Sequence, residues 1–154
     1  MSLGNGMLNH LLIAAWPQGN GVASSFRLAT WVHMILSLQI NTLTLRSSYK
    51  SPPVWKGNAT MKPIAKGTYT NATHLSFTFL CSGCLPGAPL TFNPTDGQTG
   101  LGWCYGRANP TTPSDPATEF SYHDGGYGGF ALVLANARTS KYDSFASQAS
   151  SANI

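Results

Sequence analysis

Short apolar runs that stop at turn-forming residues constrain the fold of this chain more than any other feature. Residues 11–16 form a continuous apolar run that ends at Pro17-Gln-Gly-Asn, and a second run follows at residues 22–28. A short apolar run bounded by a turn is typical of a buried strand, so we predict a β-hairpin here. No long stretch has apolar residues at helical spacing.

Further strands are predicted along the rest of the chain. Apolar residues alternate with polar ones over residues 32–40 and again over residues 74–80, a pattern typical of half-buried strands. Many short strands separated by turns predict an all-β fold, an antiparallel sandwich or barrel. The remaining predicted elements are strands at 60–64, 101–105, 119–122 and 130–134, loops at 86–100 and 109–116, and one helical turn at 142–146.

The composition fits a β-rich extracellular protein better than a helical cytosolic one. The 154 residues suffice for one domain, and only 9% of them are charged, with a net charge of +4. The Lys and Arg residues are scattered, which disfavours nucleic-acid binding. No apolar run is long enough to span a membrane, and the first residues lack the basic region of a signal peptide.

The three cysteines favour a disulfide over a metal or redox site. Cys81 and Cys84 form the sequence C-S-G-C, which lacks the histidine of a c-type haem attachment site and the second cysteine pair of a zinc site. A thioredoxin-like site would also need a βαβ setting. We therefore predict a local Cys81–Cys84 disulfide and a buried free thiol at Cys104.

His123 stands at the end of a predicted strand, just before glycines at positions 125, 126, 128 and 129. Glycines allow tight turns and let a flat ligand approach the main chain. The residues alone favour a plain hairpin turn with a surface histidine. Met7 lies beside glycines at the other end of the chain, and a Met–His pair can hold a six-coordinate haem iron. Spacing alone does not establish such a pair.

Catalytic motifs are absent from the sequence. Residues 126–131 fit a dinucleotide-binding pattern as text, but no helix pattern or acidic residue follows at the required distance. The five acidic residues give no basis for choosing a facing carboxylate pair, so a hydrolase is disfavoured.

Four blocks resemble the cytochrome domain of fungal cellobiose dehydrogenases, a DOMON-like family. They are GMLNHLLIAAWPQGNGVASSFRLAT (6–30), THLSFTFLCSGC (73–84), LGWCYG (101–106) and DPATEFSYHDGGYGGF (115–130), in the family's order and at similar spacing. The resemblance implies a b-type haem domain on an immunoglobulin-like antiparallel β-sandwich. It implies that Met7 and His123 are the axial ligands of the iron, and that Cys81 and Cys84 form the family's disulfide.

The same resemblance implies a haem pocket and a role. Trp16 matches a tryptophan expected in the pocket. The iron has no open site, so electron transfer is implied rather than catalysis at the iron. Other expected lining residues are Leu11, Leu12, Ile13, Phe77, Phe79, Trp103, Tyr127 and Phe130. The implied cofactor is haem b, the donor a flavin-dependent dehydrogenase domain or protein, and the acceptor a copper-dependent lytic polysaccharide monooxygenase. The implied location is extracellular, in lignocellulose degradation by a fungus.

The sequence departs from this family at two places. Met7 lies close to the N-terminus, whereas the family domain has several strands before it, so we expect an N-terminal truncation. Residues 31–50 have no counterpart that we recognise, and the match resumes at Ser51-Pro-Pro-Val-Trp. We interpret 31–50 as an insert, such as a translated intron. The expected organisation is a cytochrome domain over 1–146 and a polar tail over 147–154.

Two other functions stay open at this point. The chain is alternatively a secreted β-sandwich that binds carbohydrate without haem, or a fragment without function. The aromatic residues that would bind sugar are Trp31, Trp55, Tyr122 and Tyr127.

Overall fold

The structure is a computed structural model that describes residues 1–29, 50–87 and 89–149. Its strands are β1 (Leu11–Gln18), β2 (Gly21–Leu28), β3 (Thr60–Pro63), β4 (Tyr69–Thr70), β5 (Leu75–Ser76), β6 (Phe79–Ser82), β7 (Gln98–Tyr105) and β8 (Gly126–Val133). A short 3₁₀ helix spans Ala65–Gly67, and helices α1 and α2 span Leu134–Ala137 and Tyr142–Ala146.

All strand pairs are antiparallel, and they form two layers. In the first layer, β1 pairs with β2 and β7 pairs with β8 over eight residues each. Ser2 joins these two hairpins, because it bridges both Leu12 of β1 and Gly102 of β7. The segment at Val54 extends this layer beyond β2 through its bridge to Arg27. The β3–β6 pair forms the second layer, and the β4–β5 pair is a separate two-stranded sheet.

The core lies between the two layers. Its buried side chains come from the first layer and the N-terminal segment, together with Cys84, and half-buried side chains of β3 and β6 pack against them. Leu11 is fully buried, at 0% exposed. The core cluster comprises Leu3, Leu11, Ile13, Phe26 and Cys84, flanked by Trp55, Ala59, Met61, Phe79, Cys81 and Phe92. The predicted all-β antiparallel sandwich is confirmed.

Several predicted elements are confirmed and others differ: β7 begins at Gln98, within the predicted loop 86–100, and β8 begins at Gly126, within the predicted glycine turn. The β1–β2 hairpin and the helical turn at 142–146 form as predicted. The strand predicted at 74–80 is divided into β5 and β6, and between them the Thr68 hydroxyl bonds to both the N–H and the carbonyl of Thr78. The strand predicted at 119–122 is wrong, since these residues have no strand pairing.

Other predictions concern the ends and the segment 31–50. Of that segment, only Lys50 lies among the described residues, so the insert stays a prediction, and the strand predicted at 32–40 lies outside the described residues. Ala149 lies in the expected polar tail and bridges Ile64 beside β3. Within the described residues, no helix has the length and apolar character needed to cross a bilayer.

The predicted disulfide is present between Cys81 at the end of β6 and Cys84 in the core cluster. We expect the double variant Cys81→Ala/Cys84→Ala to lower the free energy of unfolding by about 2 kcal/mol, because the bond closes only a short loop. Urea denaturation under non-reducing conditions measures this difference. Cys104→Ala is the matched control, since Cys104 is a free, half-buried cysteine. Equal midpoints for the double variant and the wild type would contradict the prediction.

Candidate functional site

A cavity of about 550 Å³ opens beside the β1 and β7 strands. This volume lies within the range of roughly 300–1,000 Å³ that is usual for ligand and cofactor sites. Its lining includes all four residues predicted to contact a cofactor: Met7, Trp16, His123 and Tyr127. The fold therefore places them on the wall of one cavity, although they come from three separate parts of the sequence.

Met7 lies in an irregular loop between the N-terminal segment and β1, and it is half-buried. Gly6 and Asn9, on either side of it, have φ angles of 115° and 62°. Glycine adopts such angles without steric cost, and asparagine tolerates the left-handed region better than most residues. The Asn9 N–H donates to the Ala29 carbonyl at 2.8 Å, which ties the loop to the end of β2. The local sequence thus allows the chain to turn sharply at Met7.

His123 precedes a turn at positions 124 and 125 that leads into β8. Its ring lies next to the rings of Tyr122 and Tyr127, with centroids 4.1 Å and 5.3 Å away. Its Nδ1 is buried and has no hydrogen-bond partner within the described part of the chain. A buried polar atom without a partner is costly, so a group bound in the cavity that reached this nitrogen would be stabilising.

Trp16 is firmly oriented at the end of β1. It is 3% exposed, its indole N–H donates to the Pro113 carbonyl at 2.8 Å, and its ring meets that of Phe120 edge to face at 5.3 Å. Tyr127 on β8 is 71% exposed, so it lies at the mouth of the cavity rather than inside it. The two predicted pocket residues thus have different environments.

The expected lining is correct in most places and wrong in two. Leu12, Ile13, Phe77, Phe79 and Trp103 line the cavity as predicted. Leu11 does not line the cavity and is buried in the core cluster. Phe130 is on the surface and 46% exposed.

The cavity residues that were not predicted include Arg27, Cys104 and Phe120. Arg27 is 2% exposed on β2, which makes it a charged residue within a buried strand. The sequence does show this arginine between apolar residues of a predicted strand, and that pattern indicates a buried charge with a specific role. Cys104, predicted to be buried, is half-buried in the cavity wall. Met1 also lines the cavity, and burial lowers the pKa of its α-amino group.

Aromatic rings of β7 fill the space beside the glycines that follow His123. A Cβ at Gly125 would overlap the Tyr105 ring, and one at Gly128 would lie 3.0 Å from the Trp103 Nε1. Trp103 and Tyr105 are stacked, with ring centroids 6.4 Å apart. The glycines therefore seat two aromatic rings at the cavity edge, a purpose that the sequence did not indicate.

The close approach of the Tyr105 ring to Gly125 predicts that a side chain at position 125 destabilises the protein. We expect Gly125→Ala to lower the free energy of unfolding by about 1–3 kcal/mol, because the added methyl group displaces the Tyr105 ring. Gly97→Ala is the matched control: a Cβ at Gly97 has no neighbour within 4 Å, and the expected change is within about 0.5 kcal/mol. Thermal or urea denaturation of the two variants measures the difference. Equal free energies of unfolding for the two variants would contradict the prediction that the Tyr105 ring packs against Gly125.

Comparison with known proteins identifies the family. Residues 1–144 match the family model described as the cytochrome domain of cellobiose dehydrogenase. The chain belongs to this family. Within the described residues, no cluster of three or more His, Cys, Asp or Glu side chains forms a separate metal site.

Two solved structures of cytochrome domains are similar to this chain. The cytochrome domain of Myriococcum thermophilum cellobiose dehydrogenase has a TM-score of 0.76 and 30% identity, and the match covers 97% of this chain and 65% of that one. The cytochrome b domain of pyranose dehydrogenase from Coprinopsis cinerea has a TM-score of 0.72 and 25% identity, covering 98% of this chain and 68% of that one. The chain thus spans about two thirds of each.

Proposed function

We propose that this chain is a b-type haem electron-transfer domain in which Met7 and His123 are the axial ligands of the iron. The observation that carries the proposal is that both residues line one cavity of about 550 Å³. A thioether and an imidazole are an established ligand pair for a six-coordinate haem iron. The Nδ1 of His123 is buried and has no hydrogen-bond partner within the described residues. This supports the proposal that the His123 imidazole binds a group in the cavity.

The other residues of the cavity suit a haem as well. Apolar and aromatic side chains of β1, β6 and β7 form much of the wall, which keeps water from a bound macrocycle. The indole N–H of Trp16 is satisfied by the Pro113 carbonyl, so the side chain leaves no unpaired donor in the cavity wall. When bound, haem b supplies reversible one-electron chemistry, and two protein ligands leave the iron no open position. No catalytic centre in the chain itself is proposed.

The proposed donor is a flavin-dependent dehydrogenase domain or protein. When a reduced cellobiose dehydrogenase flavin domain is mixed with the haem-loaded chain, we expect the reduced haem bands to appear. His123→Ala is the control, since a haem without its histidine ligand should not show this low-spin spectrum. A wild-type chain that binds haem but stays oxidised in the presence of the reduced flavin domain would contradict this donor.

The proposed acceptor is a copper-dependent lytic polysaccharide monooxygenase, outside the cell. The test is oxidation of the pre-reduced chain on addition of the copper-loaded monooxygenase, with the copper-free form as control. Reoxidation that is equally fast with both forms would contradict the acceptor.

Carbohydrate binding without haem is the alternative function. Tyr122 and Tyr127 support it, because both rings are exposed beside the cavity mouth. Trp55 does not, because it is half-buried and packs edge to face on Phe26 at 5.9 Å. Trp31 lies outside the described residues. Retention of the chain on insoluble cellulose, together with no uptake of haem, would favour this alternative.

A further inference from the structure

His123 lies in the connection between β7 and β8, and this connection takes part in no β-ladder. Residues 106–125 join β7 to β8 without a strand or an α-helix. In such a segment, side-chain contacts must fix the backbone, because there are no regular hydrogen bonds to do so. The proposed ligand therefore depends on the anchors on either side of it.

Arg27 is the main anchor on the N-terminal side of His123. Its Nη2 donates to the Pro116 carbonyl at 2.6 Å and to the Thr118 carbonyl at 2.9 Å. Its guanidinium carbon lies 4.7 Å from the centre of the Phe120 ring. Hydrogen bonds from a charged donor are stronger than neutral ones, and a cation over an aromatic face adds to them. Arg27 thus contacts the connection at three positions.

The other two nitrogens of the guanidinium bond to oxygens outside the connection. Nε donates to Ser25 Oγ at 2.7 Å, and Nη1 donates to the Pro52 carbonyl at 3.0 Å. Within the described ranges, four hydrogen bonds to oxygens of three segments hold the planar group in one orientation. Because Arg27 is 2% exposed, the loss of these bonds would not be replaced by bulk water.

Contacts of Phe120 and Asp124 also hold the connection in place on either side of His123. The Phe120 N–H donates to Ser51 Oγ at 3.0 Å, and its ring packs against Trp16. On the other side of His123, Asp124 Oδ1 accepts the Arg107 N–H at 2.9 Å. The Gly125 N–H donates to the Tyr105 carbonyl at 3.1 Å. His123 is therefore bracketed by the Arg27 contacts and by a turn that is bonded to the end of β7.

We infer that Arg27 is a positioning residue for His123: by clamping residues 116–120 to β2, it sets where the imidazole lies in the cavity wall. The inference rests on the proposed function only in that His123 is taken as an iron ligand. The clamp itself is a property of the protein without haem, so it is testable separately.

The first arm of the test uses the full chain without haem. Hydrogen exchange of the amides at 118–124 is compared in the wild type, Arg27→Met and Arg138→Met. Arg138 is the matched control, an exposed arginine that also donates to one carbonyl, that of Pro94. We expect exchange at 118–124 to become about tenfold faster or more in Arg27→Met only, as the loss of charged hydrogen bonds predicts. Unchanged exchange, or an equal increase over β1 and β2, would overturn the inference.

The second arm uses the same variants loaded with haem. We expect Arg27→Met to lose part of the low-spin spectrum, and added imidazole to restore it by replacing the displaced side chain. A protein that is merely unfolded would not be rescued by imidazole. A full low-spin spectrum in Arg27→Met without imidazole would overturn the inference. Arg27→Lys keeps the charge but not the fork of donors, so it replaces Arg27→Met if that variant does not fold, and a partial effect is expected.

The two arms separate the inference from the proposed function. If the wild type takes up no haem, the proposed function fails, and the clamp is judged by the exchange rates alone. If the wild type takes up haem and exchange at 118–124 is unaffected by Arg27→Met, the proposed function stands and the clamp is overturned.

Discussion

Removing the sulfur of Met7 or the imidazole of His123 is expected to abolish the low-spin spectrum of the haem-loaded protein. A six-coordinate iron needs both axial ligands, and the loss of either one leaves five coordination. Met7→Leu removes the thioether with little change in volume, and His123→Ala removes the ring. Visible spectra of the oxidised and reduced proteins measure the effect, together with the haem retained after gel filtration.

Matched controls separate this effect from general damage. Met61 packs against the core cluster and does not line the cavity, so Met61→Leu should keep the low-spin spectrum. His74 is exposed at the end of the β4–β5 turn, so His74→Ala should also keep it. A low-spin spectrum that survives in Met7→Leu or His123→Ala would show that a different side chain binds the iron.

The second large expected effect concerns stability and does not depend on haem. Leu11→Ala should lower the free energy of unfolding by about 3 kcal/mol, within the range measured for buried leucines. Leu11 is 0% exposed and lies in the core cluster between the two layers. Against a typical total of about 5–15 kcal/mol, such a loss leaves a marginal domain. Urea denaturation of the haem-free protein measures it.

Leu85→Ala is the control for this substitution. Leu85 is 40% exposed and lies after the disulfide, outside the core cluster. Its truncation should change the free energy of unfolding by less than about 1 kcal/mol, since no buried cavity is created. Equal losses for the two variants would mean that the core does not lie where β1 meets the second layer.

The hairpin of β1 and β2 was predictable because its signal is local. A continuous apolar run, a turn at Pro17-Gln-Gly-Asn and a second run determine its pairing, and Leu11 lies opposite Leu28 as this requires. The predicted strand at 119–122 failed for the opposite reason. Contacts with Arg27, Ser51 and Trp16 fix these residues, and none of those contacts is visible in a local pattern.

The site was predictable only in part. Met7, Trp16 and His123 followed from a resemblance of four blocks, Tyr127 was expected as part of the pocket lining, and all four line the cavity. Their roles as haem ligands and neighbours stay predictions. The part played by Arg27 was not predictable, because it depends on a hydrogen bond to Thr118, 91 positions away in the sequence.

The most direct test is a visible spectrum of the purified chain after reconstitution with haem, in the oxidised and reduced states. The proposed function predicts stoichiometric uptake and the sharp reduced bands of a low-spin, six-coordinate b haem. Uptake of no haem, or a high-spin spectrum from a folded wild-type protein, would contradict an iron held by Met7 and His123.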